Sequence, residues 1–483
     1  MNVLHIVIDD VGREEMSLYG IGGVTAGFGR PYAVTPRINA GAASGVRFDS
    51  FFSNPFCTAT RAEVMTMRIP SRSGQGELIG ARPGLPNSGN EYSFMESERT
   101  FVELLTAAGI RTAHFGKWHL GTEYNGYLAD PLRQGFGYSS GTYQNLFSDE
   151  GETWFNYQWV VNGEARYVKN RYLTSHTIDH AVRWINRMGR APWYAYVALH
   201  APHGPFQKPP ASLYTTDYGM TTDVCPVGDQ NLNWRYERAM FEAADTEIGR
   251  LLDSIPASVM ANTLVLLHSD NGMSFKYKNT PALPAAGDDY EYHPTLGYYN
   301  EEHFKFTTYD SGVCVPLFAW GPMVVNGGRV AKGPAQSADM GPTILEAMGV
   351  SAFDNDGTLQ RLKADGRIID GRSFWKTLVQ NTPNTNRTMA TSERFSPDGP
   401  NPGTTGGDRM IANTRYKVRI WRDSFEGPNR VLEFYDRVTD PLEKTNLTPG
   451  GSLGSLTTTQ RTNFDALYLE LSKLLATCNN PYP

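Results

Sequence analysis

Four short apolar segments, each ending in polar residues, constrain the fold of this chain more than any other feature. They cover residues 3–10, 111–121, 193–203 and 262–272, and segments with helical periodicity lie between them. Alternation of apolar strands with helices is typical of a parallel sheet covered on both faces. The sequence therefore predicts an α/β fold, with a large, mostly parallel sheet sandwiched by helices.

Two helices and three loops are predicted around these strands. The segment RTFVELLTAAG has an apolar helical face and ends at Gly109, and a longer helix is predicted over residues 234–255. Residues 80–90, 280–299 and 396–408 are rich in Gly, Pro and Asp, which is typical of loops. The predicted apolar face consists of Phe101, Leu104, Leu105 and Ala108.

The chain changes character near residue 388. The segments YKVRIWR and RVLEFYD alternate like antiparallel strands, and residues 460–477 form a predicted helix with one apolar stripe. We therefore predict a large α/β domain of residues 1–387 and a smaller C-terminal subdomain of residues 388–483 with an antiparallel sheet and a helix. The predicted stripe consists of Phe464, Leu467, Leu471, Leu474 and Leu475.

Charge and hydropathy exclude several classes of protein. The 483 residues carry a net charge of -6, so the chain lacks the overall basic character of nucleic-acid-binding proteins, although a local groove for a polyanion is not excluded. No run of eighteen apolar residues predicts a membrane span. The start, MNVLHIVIDD, lacks the features of a secretory leader. We expect a cytoplasmic protein, or a periplasmic or secreted one whose leader has been removed.

Two of the apolar segments end in side chains that suit a metal ion. Asp9 and Asp10 close the first, and Asp270 and Asn271 close the last. If the two strands are neighbours, three carboxylates and an amide oxygen meet, which favours calcium, or less so magnesium, over zinc. The alternatives are a helix cap or solvated loop for the first pair and a hairpin turn for the second.

Cationic residues in and after two of the other strands, together with Arg61 and with Lys305 after a long loop, predict a pocket for a small, multiply charged oxyanion. Taken singly, each is a structural residue or a solvated charge as readily as a ligand. Together with a divalent cation they indicate a highly charged substrate. The set comprises Arg61, Lys117, His119, His200, His203 and Lys305.

Cys57 lies just before a predicted helix, four residues ahead of Arg61, in NPFCTATRAEV. The simplest interpretation is a small buried apolar residue, because most free cysteines are buried. The four cysteines of the chain have no metal-ligand spacing. Cys57 alone therefore does not decide between a structural and a catalytic role.

Seven blocks, in order, resemble the type I sulfatases of the alkaline phosphatase superfamily. The resemblance implies an α/β sandwich followed by a smaller domain with an antiparallel sheet, in agreement with the pattern above. The blocks are IVIDD, TPRINAGAASGVRFDSFFSNPFCTATRAEVMTMR, RTAHFGKWHLG, YVALHAPH, TLVLLHSDNG, FKFTTYDSGVCVPLFAWGP and LEFYDRVTDPLEKTNL.

The resemblance also implies a modified residue. In this family the cysteine of a CxPxR motif is oxidised by a maturation enzyme to formylglycine, whose hydrated aldehyde is the nucleophile. Cys57 and Arg61 match that motif, whereas Ala59 stands where proline is usual. The calcium ligands that the resemblance implies are Asp9, Asp10, Asp270, Asn271 and the residue at position 57.

Roles for the cationic residues follow from the same resemblance. Arg61 would orient the hydrated aldehyde, and Lys117 and Lys305 would hold sulfate oxygens. His203 would protonate the leaving oxygen, and His119 would assist the breakdown of the intermediate. His200 would support these residues without touching the substrate.

The sequence thus predicts a sulfuric ester hydrolase that acts on a small-molecule or saccharide sulfate ester. One alternative is a phosphodiesterase or phosphonate monoester hydrolase that uses the same site. Another is a binding protein for sulfated ligands in which Cys57 is never converted. Aryl, sugar and small alkyl sulfates all remain open as substrates, because the aromatic residues between positions 143 and 172 suit ring stacking and core packing equally.

Overall fold

A computed structural model provides the structure of this chain, and its helices and strands alternate as the sequence predicts. No helix among the described residues is long and apolar enough to cross a bilayer. The predicted loop at residues 80–90, and most of those at 280–299 and 396–408, lie outside the described residues. The described residues are 1–21, 31–79, 98–121, 127–146, 151–226, 230–273, 292–293, 297–298, 303–350, 367–380, 382, 385–395, 407–422 and 430–478.

Three sheets contain the described strands. The strands are β1 Asn2–Ile8, β2 Val46–Phe52, β3 Arg111–Lys117, β4 Tyr138–Thr142, β5 Tyr157–Val161, β6 Glu164–Val168, β7 Trp193–Ala198, β8 Thr263–Ser269, β9 Tyr292–His293, β10 Gly297–Tyr298, β11 Cys314–Trp320, β12 Arg329–Ala331, β13 Ala335–Gln336, β14 Ala390–Arg394, β15 Asp408–Ala412, β16 Tyr416–Arg422 and β17 Arg430–Asp436.

The described helices vary in length from one turn to six. The α-helices are α1 Pro36–Ser44, α2 Cys57–Thr66, α3 Pro70–Ser73, α4 Phe101–Ala107, α5 Asp130–Arg133, α6 Leu173–Met188, α7 Gln230–Asp253, α8 Ala257–Met260, α9 Asp310–Val313, α10 Met340–Ala347, α11 Trp375–Val379 and α12 Thr458–Cys478. Short 3-10 turns lie at Arg13–Glu15, Tyr127–Ala129, Ala211–Leu213, Ser337–Asp339 and Pro449–Gly451.

The large sheet places the four predicted apolar segments side by side. Its strand order is β12-β2-β11-β8-β1-β7-β3-β4-β5-β6, with β13 also paired to β2. Strands β8, β1, β7 and β3 run parallel to their neighbours in this set, and β11 runs antiparallel to both β8 and β2. The predicted α/β fold is confirmed, as a mixed sheet that is parallel at its centre.

Helices cover both faces of the sheet because its central strands are apolar on both sides. Successive side chains of β1 alternate between two clusters: Val3 and Val7 belong to the cluster that includes α4 and α10. Leu4 and Ile6 belong to the cluster that includes α6 and α7. This alternation is the expected consequence of the strand pleat.

The helix predicted in RTFVELLTAAG has a different buried face from the predicted one. Phe101 and Leu105 are buried and Leu104 partly so, but Ala108 is exposed and Val102 is buried instead. The helix ends at Ala107, so Ala108 follows its last turn. The prediction of Ala108 was wrong because the stripe was continued past the end of the helix.

A four-stranded antiparallel sheet, β14-β15-β16-β17, follows the large sheet in the chain. Helix α12 packs on it through Phe464, Leu467 and Leu471, against a cluster that includes Val418 and Phe434. Leu474 and Leu475 of the predicted stripe are partly buried. The predicted sheet and helix are confirmed, whereas the domain boundary at residue 388 stays a prediction.

Candidate active site

The polar side chains predicted at the strand ends meet at one edge of the large sheet. Residue Ile8 of β1 pairs with Ser269 of β8, so Asp9 and Asp270 follow neighbouring strands at the same level. Strand β7 pairs with β1 on its other side and with β3 beyond, which brings the turn after β7 and the end of β3 to this edge. The carboxyl ends of parallel strands are where α/β proteins bind ligands.

The acidic half of the cluster is fully enclosed. Asp9, Asp10 and Asp270 are buried, and the Asp10 backbone N–H lies 3.4 Å from Oδ1 of Asp270. Nδ2 of Asn271 donates to Oδ1 of Asp10 at 2.6 Å. Oδ1 of Asn271 is buried and has no hydrogen-bond partner in the described part of the chain. Three buried carboxylates and an unpartnered amide oxygen fit a hard cation.

One subset of these side chains is especially close. Single ligand atoms of Asp9, Asp10, Cys57 and His203 all lie within 4.8 Å of one another. In contrast, Oδ2 of Asp270 faces the guanidinium group of Arg61. The predicted metal ligands Asp9, Asp10 and Cys57 are thus brought together directly, with Asp270 and Asn271 adjoining them through Asp10.

Three cations neutralise these carboxylates. Nη2 of Arg61 lies 2.7 Å from Oδ2 of Asp270, and Nη1 donates to the Lys117 carbonyl at 2.6 Å. The ammonium groups of Lys117 and Lys305 form ion pairs with Asp9 and Asp10 respectively. All three cationic side chains are buried. Buried charges are tolerated only when paired, so this half of the cluster depends on the acidic half.

Cys57 is the first residue of α2 and lies between the two halves. It is fully buried, and its Sγ is 3.4 Å from both Oδ1 of Asp9 and Nζ of Lys305. Burial, followed by the charge of Asp9, raises the pKa of the thiol to about 12. The unmodified thiol is therefore protonated at neutral pH, and a protonated thiol is a poor nucleophile.

The charges around Cys57 also shift the pKa values of the carboxylates. Burial alone would raise the pKa of Asp9, but the nearby Lys117 and His203 outweigh burial and lower it well below its usual value. Burial and the charge of Asp9 raise the pKa of Asp270 to about 6. Burial opposes the charge of Lys305, yet Asp10 raises its pKa.

The three histidines differ in access to solvent. The side chain of His203 is 19% exposed, and its Nε2 lies 3.7 Å from Oδ2 of Asp10. His119 is buried, and its Nδ1 has no partner among the described residues. Nε2 of His200 lies 2.9 Å from the carbonyl oxygen of Gln144, behind the cluster. Burial lowers the pKa of all three, reinforced by Lys117 in His119 and His200.

Backbone strain marks the same region. Asp10, His119 and Phe306 have φ values of 67°, 60° and 84°, in the left-handed region that residues other than glycine rarely adopt. Such strain persists where surrounding contacts impose it, and it concentrates at functional sites. Backbone hydrogen bonds hold the last of these segments, from the Lys305 N–H to Met273 and from the Phe306 N–H to Pro55.

One further residue supports the site and has no signal in the sequence. Arg394 ends β14 in the small sheet, donates to the Phe306 carbonyl at 2.9 Å and lies 5.0 Å above the ring of Phe56. It therefore contacts the residues next to both Lys305 and Cys57. Its distance along the chain from either residue hides this contact from any motif.

The aromatic residues between positions 143 and 172 are largely core residues. Trp154, Tyr157 and Trp159 are fully buried, whereas Tyr167 is exposed. The rings of Trp154 and His200 meet edge to face, with centroids 6.3 Å apart. For the three buried rings, packing behind the site is therefore the better of the two interpretations that the sequence allowed.

Comparison with known proteins places this geometry in a family. The family model described as sulfatase matches residues 1–350. The chain belongs to the sulfatase family. This result confirms the resemblance that the seven sequence blocks indicated.

Relatives of this sulfatase are distant in sequence. Human N-acetylgalactosamine-6-sulfatase is 27% identical over 409 residues, which are 78% of this chain and 66% of the relative. The chain thus matches just under two thirds of that relative's length. Human arylsulfatase H is 24% identical over 450 residues, with 78% of this chain and 72% of the relative covered.

Solved structures show the same fold. Ps i-CgsB in complex with k-i-k-neocarrahexaose has a TM-score of 0.71 at 20% identity, covering 99% of this chain and 93% of that chain. A protein in complex with its substrate D-glucosamine-2-N,6-O-disulfate has a TM-score of 0.67 at 19% identity, covering 99% and 98%. At these identities the likeness establishes the fold and not the substrate.

We expect the variant Arg394→Leu to weaken the binding of inorganic sulfate roughly tenfold. Its loss would free Phe306 and Phe56, the neighbours of Lys305 and Cys57, and a displacement of even about 1 Å of site residues is costly. Calorimetric titration against the unmodified chain would measure this. Arg461→Leu, which removes an exposed arginine from α12, is the matched control. Unchanged sulfate affinity in a folded Arg394→Leu protein would show that Arg394 does not position the site.

Proposed function

We propose that this sulfatase hydrolyses sulfate monoesters of sugars. The observation that carries the proposal is the convergence of Cys57 with buried carboxylates and three buried cations at the carboxyl ends of parallel strands. A sulfate monoester is anionic, so its charge must be neutralised before a nucleophile can approach. The names of the relative and of the bound saccharides above support sugars as the substrate class.

The metal at this site is proposed to be calcium, with magnesium less suitable. Asp9, Asp10, Asp270 and Asn271 would hold it together with position 57, because all-oxygen sets with several carboxylates suit hard cations. A bound divalent cation would supply charge neutralisation for the sulfate group. The buried Oδ1 of Asn271, which has no partner in the described part of the chain, supports this assignment.

Cys57 is proposed to be converted to formylglycine by a maturation enzyme. Once formed, that residue supplies a hydrated aldehyde as the nucleophile, with a second hydroxyl on the same carbon for release of sulfate. The raised pKa of the thiol, about 12, argues against an ordinary thiolate nucleophile. The position at the start of α2 adds the helix dipole, which favours negative charge there.

The cationic residues of the cluster would bind the sulfate group, and one histidine would donate a proton to the leaving alcohol. Lys117 and Lys305, which pair with Asp9 and Asp10, are proposed to hold sulfate oxygens, and Arg61 fixes the position of Asp270 through an ion pair. His203 is the partly exposed residue of the cluster and is proposed to protonate the departing alcohol oxygen. Its pKa is lowered in the free protein, chiefly by burial, and a bound sulfate would favour its charged form.

The two buried histidines of the cluster, His119 and His200, are assigned different roles. The buried Nδ1 of His119 has no partner in the described residues, so it is available to accept or donate a proton. We assign His119 to the second half of the reaction, when sulfate is released. His200 contacts Thr142 and Gln144 and is assigned a supporting role behind the site.

A comparison of matched esters tests the proposed reaction. Turnover is measured on sugar, aryl and alkyl sulfates and on phosphate monoesters and diesters of the same alcohols. We expect sugar sulfates to give the highest kcat/KM. Faster turnover of the phosphodiesters would favour the phosphodiesterase alternative, and binding of sulfated sugars without turnover in fully converted protein would favour the binding-protein alternative.

Removal of the metal is expected to abolish turnover. Asp270→Asn keeps the size of the side chain but removes a charge from the cluster, and we expect loss of bound calcium and of activity together. Elemental analysis beside the assay measures both. Asp253→Asn, at an exposed aspartate, is the control. An active preparation that contains no divalent metal would contradict the assignment.

Loss of one sulfate-binding contact is expected to be severe. Lys305→Ala or His203→Ala should lower kcat/KM roughly a hundredfold, about 3 kcal/mol, as for removal of one oxyanion donor. Lys473→Ala changes an exposed lysine and should have no effect. Near-normal rates in either site variant would show that the residue has another role.

Activity is expected to follow the fraction of aldehyde at position 57. Ala59 replaces the usual proline, so a host with a poorly matched maturation enzyme should give partial conversion, and Ala59→Pro should raise it because proline favours an extended preceding residue. Peptide mass spectrometry of the fragment with Cys57, compared with specific activity, measures the relation. Full activity from protein that carries only the thiol would refute the formylglycine mechanism.

A further inference from the structure

A basic cleft lies on the side of the molecule, between the β5–β6 hairpin and helix α6. Its volume is about 690 Å³. Hairpin strand β6 is the last strand of the large sheet, so one wall of the cleft is the edge of that sheet. Four arginines line the cleft, one from β6, one from the connection between β6 and α6, and two from α6. They are Arg166, Arg171, Arg183 and Arg187.

Most of this positive charge has no acidic partner among the described residues. Arg171 forms an ion pair with Asp179, which also binds Arg250. For Arg166, Arg183 and Arg187, no carboxylate of the described residues lies within 4.0 Å. A protein with a net charge of -6 thus concentrates unpaired guanidinium groups in one cleft. Such groups bind planar or tetrahedral oxyanions in a bidentate manner.

Two aromatic rings lie beside the arginines. Tyr138 and Trp184 line the cleft and are partly exposed. Their inner edges are fixed by Phe115, with ring centroids 5.9 Å away in both cases. A fixed ring beside a guanidinium group offers a flat apolar surface for a sugar ring next to a group that binds anions through two N–H donors.

We propose that this cleft binds the sulfate groups and sugar rings of a sulfated saccharide chain, at a position separate from the catalytic cluster. Tyr138 and Thr142 are the two ends of β4, and Thr142 contacts His200. At the usual rise per residue the cleft therefore begins roughly 13 Å from the residues that support the catalytic site. The cleft would hold a polymeric substrate by groups that do not react.

The choice of a saccharide rests on the proposed function, whereas the anion site itself does not. The arginines and rings would bind sulfate whether or not the catalytic cluster hydrolyses it. A polymeric saccharide that contacts both the catalytic cluster and the cleft would also bind more tightly, because the second binding event becomes intramolecular.

A histidine pair at the base of the cleft raises the question of a metal. Nε2 of His176 and Nε2 of His180 are 3.1 Å apart, and their Nδ1 atoms lie near Tyr157 and Ser140. Burial, then the charge of Arg183, lowers the pKa of His180 to about 4. The nearby Arg183, Arg166 and Arg171, whose charges contribute to that shift after burial, would also repel a metal cation at the histidine pair.

Binding without turnover provides the first test. A size-defined heparin oligosaccharide is titrated calorimetrically into the full chain and into the double variant Arg166→Gln with Arg183→Gln. Both side chains are exposed, so folding should not be affected. We expect at least about tenfold weaker binding, because hydrogen bonds to charged groups are the strong ones. Arg461→Gln, which removes one exposed arginine from α12, should bind as the unmodified chain does.

Further ligands identify the source of the bound anion. Uncharged dextran of the same length should not bind, and inorganic sulfate should compete only weakly. Equal affinity for inorganic sulfate and for the oligosaccharide would overturn the saccharide assignment. Tighter binding of single-stranded DNA of equal charge, or of zinc ions at the histidine pair, would overturn it as well.

Kinetics provides the second test and separates this proposal from the proposed function. In the double variant, KM for a polymeric sulfated saccharide should rise, while kcat/KM for a small sulfate ester should not change. If the chain turns over no sulfate ester, the calorimetric result still shows whether the cleft binds the oligosaccharide. Unchanged oligosaccharide affinity in the double variant would overturn the proposal even in an active enzyme.

Discussion

Buried carboxylates pair directly with buried cations where the central strands of the large sheet end. Asp9, Asp10 and Asp270 would repel one another strongly at the low effective dielectric of the interior. Arg61 and two lysines offset that repulsion through direct ion pairs. The strand order supplies the geometry, because neighbouring parallel strands end at one level. A shift of register in β1 or β8 would separate charges that cannot be buried alone.

The small sheet is part of the same arrangement and not an independent appendage. Ser392 and Glu393 of β14 bind Ser53 and Asn54, just before the helix that begins at Cys57. On the inner side of that helix, burial raises the pKa of Glu63 to about 8. A neutral Glu63 can accept from the Ala338 N–H at 3.2 Å without burying a charge. Helix α2 is thus held by contacts just before its first residue, Cys57, and again two turns later at Glu63.

Sequence reasoning succeeded where the signal was local and failed where it was not. The strands ending at Asp9 and Asp270 could be predicted because each apolar run and its polar end lie in one segment. Lys305 was included among the cationic residues from its charge, but its role came from the resemblance, since tertiary hydrogen bonds carry its segment to the site. Arg394 could not be predicted, because Phe56 and Phe306 lie far from it in the sequence. The arginines of the cleft are close in sequence, but their convergence depends on how the β5–β6 hairpin packs beside α6. Ala108 was misassigned because periodicity does not show where a helix stops.

The electrostatics of position 57 favour a chemistry that does not require an ionised thiol. The acidic residues that suit a cation also raise the pKa of Cys57, with Asp9 the largest charge acting on it after burial. A thiolate would therefore be disfavoured, first by burial and then by the carboxylates that are proposed to hold the cation. A hydrated aldehyde has no such conflict, since it carries hydroxyl groups that a neighbouring cation can polarise. The proposed replacement of the thiol would thus allow one pocket to hold a metal, an anionic ester and a nucleophile together.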